Sequence, residues 1–186
     1  SLIHDPDAGS ATVTRATDLA TAPWAHPPMS LARYQRFIEG GAVLTQNART
    51  GQIGGTTALA NRSFQTARQV SPERYGVTIG NGTTFVSSVV PTNPAIGDEV
   101  EHLALLEIDG TDARVRLLQT INGEDTSGPW SDPLDVSALL AEGWQAPWLT
   151  IGNVAEGTRP GRMLLRDDLV LRGSHWTLDA VRRVVG

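Results

Sequence analysis

The chain contains no cysteine, so neither a disulfide framework nor a thiolate metal site is available to it. It also has no lysine, and all fifteen of its cationic side chains are arginine. Selection for bidentate arginine contacts would explain this composition, but a GC-rich genome explains it more simply. No apolar run approaches about 18 residues, so no membrane-spanning helix is expected. The net charge of −5 argues against a nucleic-acid partner held through its phosphates.

The first residues of the chain are not expected to form a signal peptide. Residues 1–7 have neither the basic start nor the apolar core of a signal peptide, so none is expected there, although a processed chain would begin in the same way. What the chain does contain suits one globular domain: 186 residues, of which 40% are apolar and 19% are charged. Its nineteen glycines and eleven prolines indicate short strands joined by frequent turns.

Residues 1–30 differ in composition from the rest of the chain. Pro23, Pro27 and Pro28 fix φ and remove backbone donors, which argues against a helix or a central strand around them. We therefore expect an extended arm over residues 1–30, or a segment wrapped along the edge of a sheet. Residues 31–186 are expected to form a single domain.

Helical signals occur only near the two ends of that domain. Ser30 can cap a short helix over Leu31–Glu39, with a strand over Tyr34–Ile38 as the alternative. Thr177 can cap a second helix over Leu178–Val185, whose apolar residues recur at helical spacing.

Between these helices the pattern is that of strands and tight turns. Asn81-Gly82, Asp109-Gly110 and Asn122-Gly123 are turn signals, because two-residue hairpin turns need positive φ. The run Leu103–Leu106 predicts a strand that is buried on both faces. The alternation along Ala113–Thr120 places Val115 and Leu117 on one face, and Arg114 and Arg116 on the other. The predicted strands are Ala42–Gln46, Thr57–Ala60, Phe64–Val70, Gly76–Ile79, Thr83–Val90, Val100–Ile108, Ala113–Thr120, Leu149–Ile151 and Met163–Leu171.

Several segments of the carboxy-terminal half resemble laminin-G-like, concanavalin A-like domains. Glu101–Gly110 looks like a strand and turn of that family, and Trp148–Asn153 contains a similar Ile-Gly-Asn step. Gly161–Gly173 is similar to the last strand of the family, and Trp176–Val181 to its closing turn of helix. The resemblance implies an all-β fold, a jelly-roll sandwich of antiparallel strands with short helices near the termini.

The same resemblance implies a role in recognition or structure. Stand-alone domains of this kind that are rich in arginine are similar to minor tail proteins of phages that infect actinobacteria. We therefore expect a non-enzymatic structural protein of a virion, a homo-oligomer that packs against other tail proteins or contacts a host-surface glycan. The alternative is a bacterial carbohydrate-binding module, secreted or at the cell surface. A glycoside hydrolase or lyase of the same fold is a third reading.

Glu107 and Asp109 fit the first part of the carboxylate pattern found in glycoside hydrolases of this fold. Retaining hydrolysis needs two carboxyl groups about 5 Å apart, which alternate positions of one strand can supply. The third carboxylate of the pattern is missing, because Asp109-Gly110 is a turn signal and Asp112 lies beyond it. We therefore expect these residues to mark the end of a strand, without catalysis.

The tryptophans are the better candidates for ligand contact. Indole rings stack on sugar rings and anchor partners, and Trp130 lies in a loop-like segment. Packing in the core is the competing interpretation, which we favour for Trp144, Trp148 and Trp176 over contact with a ligand.

No cofactor is expected, with calcium as the possible exception, because loops of related sandwiches bind it. Asp125, Asp132 and Asp135 are oxygen donors that lie near one another in sequence. Their spacing matches no dedicated calcium loop, so solvated turn residues are the simpler interpretation.

Overall fold

The computed structural model describes residues 2–4, 17–18, 28–41, 48–55, 58–70, 72–145, 148–151 and 163–186. Within these ranges the chain forms strands and two short helices. The strands are β1 (Leu2–His4), β2 (Thr17–Asp18), β3 (Leu31–Glu39), β4 (Ala48–Ile53), β5 (Ser63–Val70), β6 (Glu73–Gly80), β7 (Phe85–Val89), β8 (Glu99–Asp109), β9 (Asp112–Ile121), β10 (Glu124–Asp125), β11 (Leu134–Asp135), β12 (Trp148–Ile151) and β13 (Met163–Arg172). The helices are α1 (Ser137–Glu142) and α2 (Leu178–Val185).

The strands form two sheets that pack face to face. Sheet 1 has the order β1-β13-β3-β8-β9-β10, with β11 also paired with β9, and sheet 2 has the order β2-β12-β4-β5-β6-β7. The pairings are antiparallel. The all-β antiparallel sandwich expected from the sequence is confirmed. Among the described residues, no helix is long and apolar enough to cross a bilayer.

The described part of the predicted arm contains two short strands, and each pairs with the edge of a sheet. Strand β1 pairs with β13 in sheet 1, and β2 pairs with β12 in sheet 2. Most of residues 1–30 lies outside the described ranges, so the division into an arm and a domain stays a prediction.

The helix predicted over Leu31–Glu39 is wrong, because this segment is strand β3 in the middle of sheet 1. It pairs with β13 on one side and β8 on the other. This pairing makes the segment a strand, although its apolar residues recur at helical spacing. Ser30, predicted as the helix cap, instead accepts a hydrogen bond from the backbone N–H of Ile108 on β8 (2.9 Å). The strand alternative for Tyr34–Ile38 was the correct one.

The two strand predictions upstream of β5 have different outcomes. Ala58–Ala60 is a turn that folds over sheet 2, where a Cβ at Gly80 would lie 2.2 Å from the carbonyl oxygen of Asn61. The predicted strand Ala42–Gln46 lies outside the described residues. Strand β4 was not predicted, and its pairing with β5 is irregular between Arg49 and Gly51. Helix α1 was missed as well.

The three predicted turns have different outcomes. Asn122-Gly123 is a two-residue turn, with φ of 51° and 86°. The turn after Asp109 consists of Gly110 and Thr111, one residue later than predicted. Asn81-Gly82 belongs to a longer loop over residues 81–84, because the side chain of Asn81 accepts hydrogen bonds from the next backbone N–H groups and holds the loop open.

Strand β8 is apolar on both faces, as predicted for Leu103–Leu106. Ala104 and Leu106 belong to the core between the sheets. Leu103 and Leu105 belong to a second apolar cluster on the outer face of sheet 1, which α2 covers with Val181. Helix α2 was correctly predicted, since the Thr177 side chain accepts a hydrogen bond from the backbone N–H of Ala180 (3.1 Å).

The interior between the sheets also holds charged residues. Arg33 on β3 makes two hydrogen bonds to Asp168 on β13, of 3.0 and 2.7 Å, and a third to the carbonyl oxygen of Thr150 in sheet 2. A Cβ at Gly51 would lie 2.3 Å from the guanidinium carbon of Arg33, so glycine makes room for this side chain. The ion pair therefore ties together strands from both sheets.

A second polar group in the interior is centred on His102. Its ring stacks edge-on against Phe37 and Tyr75, and its Nε2 lies 2.8 Å from Oε1 of Gln119. Burial lowers the pKa of His102 to about 4, against the hydrogen bond with Gln119, which raises it. The neutral imidazole is therefore part of the folded core at neutral pH.

Removing the carboxylate of Asp168 should strongly destabilise the protein. We expect Asp168→Ala to lower the free energy of unfolding by about 3–5 kcal/mol, because the buried Arg33 would lose its counter-charge. Asp167→Ala is the matched control, since Asp167 pairs with a partly exposed Arg36. That variant should lose less than about 1 kcal/mol in urea unfolding. Equal losses in the two variants would contradict this account.

Acid should destabilise the fold through His102. The folded state keeps the ring neutral down to about pH 4, whereas the unfolded chain binds a proton below about pH 6.5. The unfolded state therefore gains protons first, and stability is lost as the pH falls from 6.5 to 4, by about 3 kcal/mol. Urea unfolding of the wild type and of His102→Gln at several pH values would test this. The variant should lose most of the slope in that window.

Candidate functional site

A pocket of about 750 Å³ lies on the outer face of sheet 1, beside α2. Its floor is formed by outward-facing residues of the hairpin β8–β9. These are Leu105, Glu107, Asp109, Asp112, Arg114, Arg116 and Leu118. Its walls come from the segment after β10 and from the loop before α2. These are Trp130, Pro133, His175, Trp176 and Thr177.

The pocket exists because α2 covers only part of the apolar outer face. The helix is held by Val181 and by an ion pair between Arg182 and Glu101. Burial would raise the pKa of Glu101, but hydrogen bonds from Arg182, Tyr34 and Thr120 lower it to about 2. Glu101 is therefore ionised at neutral pH and fixes the helix at one end of the sheet. The apolar surface beyond the helix forms the floor of the pocket.

Trp130 is exposed and stands in one wall of the pocket. Its segment runs beside β9, where the N–H groups of Gly128 and Ser131 donate to the carbonyl oxygens of Leu117 and Val115. The Arg116 guanidinium lies over the indole ring, 6.0 Å from its centroid. These contacts hold an aromatic surface at the edge of the pocket.

Trp176 stands in the other wall and is fixed by its loop. Its indole N–H donates to the carbonyl oxygen of Arg172 (2.8 Å). His175, just before it, has a φ of 63°, which is unusual for a residue other than glycine. The Glu107 carboxylate accepts a hydrogen bond from the backbone N–H of His175 (3.1 Å) and stabilises this conformation. Glu107 thus holds the loop that carries Trp176.

The charged groups of the floor are only partly paired. Arg114 lies opposite Glu107 across the hairpin, and its side chain makes no hydrogen bond or ion pair with the described residues. Asp109 and Asp112 face each other at the hairpin turn. The structure therefore brings the three carboxylates considered for catalysis to one pocket, with Glu107 engaged by the neighbouring loop and the two aspartates exposed.

The tryptophan candidates separate into two groups. Trp130 and Trp176 line the same pocket. The sequence did not indicate that these two residues lie close together. Trp144 is 7% exposed and belongs to the core between the sheets, so its ring has no surface for a sugar. The backbone of Trp148 is part of β12, but its side chain lies outside the described residues.

The sequence missed the role of His175 and the place of the two arginines in the pocket. The alternation along β9 did predict that Arg114 and Arg116 share the outward face, and this is confirmed. Considered together with the outward-facing residues of β8, these arginines would have indicated a charged surface where the floor of the pocket lies. The backbone conformation of His175 leaves no comparable signal in the sequence.

The calcium candidates do not form a cluster. The carboxylate of Asp125 accepts hydrogen bonds from Ser127, and that of Asp135 from the backbone N–H of Ser137. These bonds lower the pKa of both side chains and use them in local turns. Across the described part of the chain, no three His, Asp or Glu side chains are placed to hold a metal ion.

Chelation should therefore leave the fold unchanged. We expect the thermal midpoint of the protein in EGTA to stay within about 1 °C of its value in added calcium, since a ligand that binds the folded state must raise stability. Differential scanning calorimetry would measure this. A fall of several degrees in EGTA would reveal a calcium site that includes residues outside the described ranges.

Comparisons with known proteins concern the fold of the chain. No protein-family model matches the sequence. No curated protein sequence matches it either.

The structure is similar to the CBM40 of the Ruminococcus gnavus IT-sialidase bound to α2,6 sialyllactose, with a TM-score of 0.53 and 16% identity over 95% of this chain and 96% of that chain. The same module bound to α2,3 sialyllactose also has a TM-score of 0.53. A Limulus polyphemus pentraxin has a TM-score of 0.48 at 15% identity and covers 76% of this chain and 63% of that chain. The expected jelly-roll fold is confirmed, and the neighbours include carbohydrate-binding modules.

Proposed function

We propose that this domain is a carbohydrate-binding module that holds a glycan in the pocket of sheet 1. The observation that supports this most is the presence of two indole rings, Trp130 and Trp176, in the walls of one pocket. The ring of Trp130 contacts Arg116 on β9, and the indole N–H of Trp176 donates to the carbonyl oxygen of Arg172 at the end of β13. A fixed aromatic surface binds with little loss of side-chain entropy.

The chemistry of the floor suits a sugar. A sugar ring presents C–H groups on its faces and hydroxyl groups around its rim. Leu105 and Leu118 offer apolar surface, while Asp109, Asp112 and Arg114 offer acceptors and donors that the described residues leave unused. Such a mixture of apolar surface and a few convergent polar groups is typical of small-molecule sites.

Sialyllactose is the first ligand to test, because a module of the same fold binds it. The unpaired guanidinium of Arg114 could hold the carboxylate of an acidic sugar by two parallel hydrogen bonds. Asp109 and Asp112 would disfavour an acidic group at the hairpin turn, so the carboxylate should lie toward Arg114. The same binding test should include neutral oligosaccharides, which are the alternative class of ligand.

The virion role stays a prediction, and the comparisons favour the alternative of a carbohydrate-binding module. A tail protein that contacts a host-surface glycan would need the same pocket chemistry, so glycan binding is compatible with either source. A secreted or cell-surface location suits the module better than a virion. Catalysis has less support, because Glu107 holds the loop of Trp176.

A glycan screen with tryptophan variants tests the proposal. We expect the wild type to bind one class of oligosaccharide, and Trp130→Ala to weaken that binding by about tenfold or more, because a stacked ring is lost. Phe85→Ala is the matched control, since Phe85 is also an exposed aromatic residue but lies on β7 of sheet 2. Isothermal titration calorimetry would measure the affinities.

Two results would contradict the proposal. One is the absence of binding to any acidic or neutral glycan. The other is binding that neither Trp130→Ala nor Trp176→Ala weakens, which would place the ligand elsewhere. Release of reducing sugar that Glu107→Gln abolishes would instead support the hydrolase reading.

A further inference from the structure

Serine hydroxyl groups close the outer edge of strand β9. Three alternate backbone N–H groups of β9 donate to serine hydroxyl oxygens where a neighbouring strand would offer carbonyl groups. They are Val115 to Ser131 (3.0 Å), Leu117 to Ser88 (3.2 Å) and Gln119 to Ser127 (3.1 Å). The segment 126–131 thereby lies along the edge without a full strand ladder, which protects the edge from pairing with other chains.

Ser88 differs from the other two serines because it comes from sheet 2. It lies on β7, is 1% exposed, and reaches across the side of the sandwich to β9. Its hydroxyl accepts the hydrogen bond of Leu117 and donates one to the carbonyl oxygen of Pro129 (2.5 Å). One side chain thus joins both sheets to the peptide that precedes Trp130.

The neighbouring residue confirms how closely the segment approaches β7. A Cβ at Gly128 would lie 2.8 Å from the carbonyl oxygen of Val89 and 2.9 Å from the Ser88 hydroxyl. The carbonyl oxygen of Gly128 in turn accepts a hydrogen bond from Arg116, whose guanidinium lies over Trp130. The backbone on the amino-terminal side of Trp130 is therefore held from sheet 1 and sheet 2 together.

We propose that Ser88 is a positioning residue of the binding site, which fixes the Trp130 wall of the pocket through Pro129. This inference rests on the proposed function for its effect on binding, but the rigidity of Trp130 can be measured without a ligand. Ser88 does not line the pocket, so it acts through the placement of the indole and not by touching the sugar. The site is then preorganised by the closure of the two sheets.

The test combines ligand affinity with the motion of the Trp130 ring. We expect Ser88→Ala to weaken binding of the glycan selected by the screen by about fivefold, the size of effect expected when one hydrogen bond is lost. In a Trp130→Ala background the same change should have no further effect. The ¹⁵N relaxation of the Trp130 indole N–H, assigned by its loss in Trp130→Phe, should show greater motion in Ser88→Ala.

Ser127→Ala is the matched control. It also removes a hydroxyl that accepts a hydrogen bond from β9, but it does so three residues before Trp130. It should lower stability by a similar amount and leave both affinity and the Trp130 relaxation unchanged. If Ser88→Ala fails to fold, Ser88→Cys provides the measurement, because its thiol fills the space of the hydroxyl but forms weaker hydrogen bonds.

The outcomes separate this inference from the proposed function. If Trp130→Ala weakens binding while the Ser88 variant binds as the wild type does and its indole stays rigid, the positioning role is wrong and the site stands. If no glycan binds, the proposed function fails, and the relaxation measurement alone decides whether Ser88 fixes Trp130. An unchanged indole in that case also overturns the inference.

Discussion

Strand β8 carries apolar side chains on both faces, and much of the molecule follows from the need to cover them. Its inner face packs against sheet 2 through residues such as Leu106. Its outer face would be exposed to water without α2, which packs Val181 against Leu103. Because α2 spans only part of that face, the rest of it remains as the floor of a pocket between two loops. The position of α2 thus determines both which part of the second apolar cluster is covered and where the pocket lies.

The two sheets are held in register by polar contacts as well as by apolar packing. Arg33 reaches from sheet 1 to the backbone of sheet 2 over Gly51, and a charge buried in this way requires its partner Asp168. At the other side of the sandwich, Ser88 links β7 to β9. Since such directional contacts define one arrangement of the sheets, loops attached to both sheets acquire a defined position. The peptide before Trp130 is attached in this way, because Ser88 contacts both Leu117 and Pro129.

The sequence predicted the hairpin β8–β9 well because its signals are local. The run Leu103–Leu106 indicated burial on both faces, and the alternation along β9 placed Arg114 outward. The predicted strand ended at Ile108, and β8 ends one residue later at Asp109, so that Asp112 lies beyond the turn in β9. Strand β3 was misread because its spacing fits a helix equally well, and only its pairing on both sides decides between the two.

The amino-acid sequence by itself determined the all-β class, the main strands of the carboxy-terminal half and the capped helix α2, because alternation, turn residues and caps act within a few residues. It also identified Trp130 and Trp176 as candidates without relating them. Only the tertiary structure brought these rings into one pocket, assigned Trp144 to the core and placed Glu107 under the loop of Trp176. Those relations join residues far apart in the chain, so no local pattern could contain them.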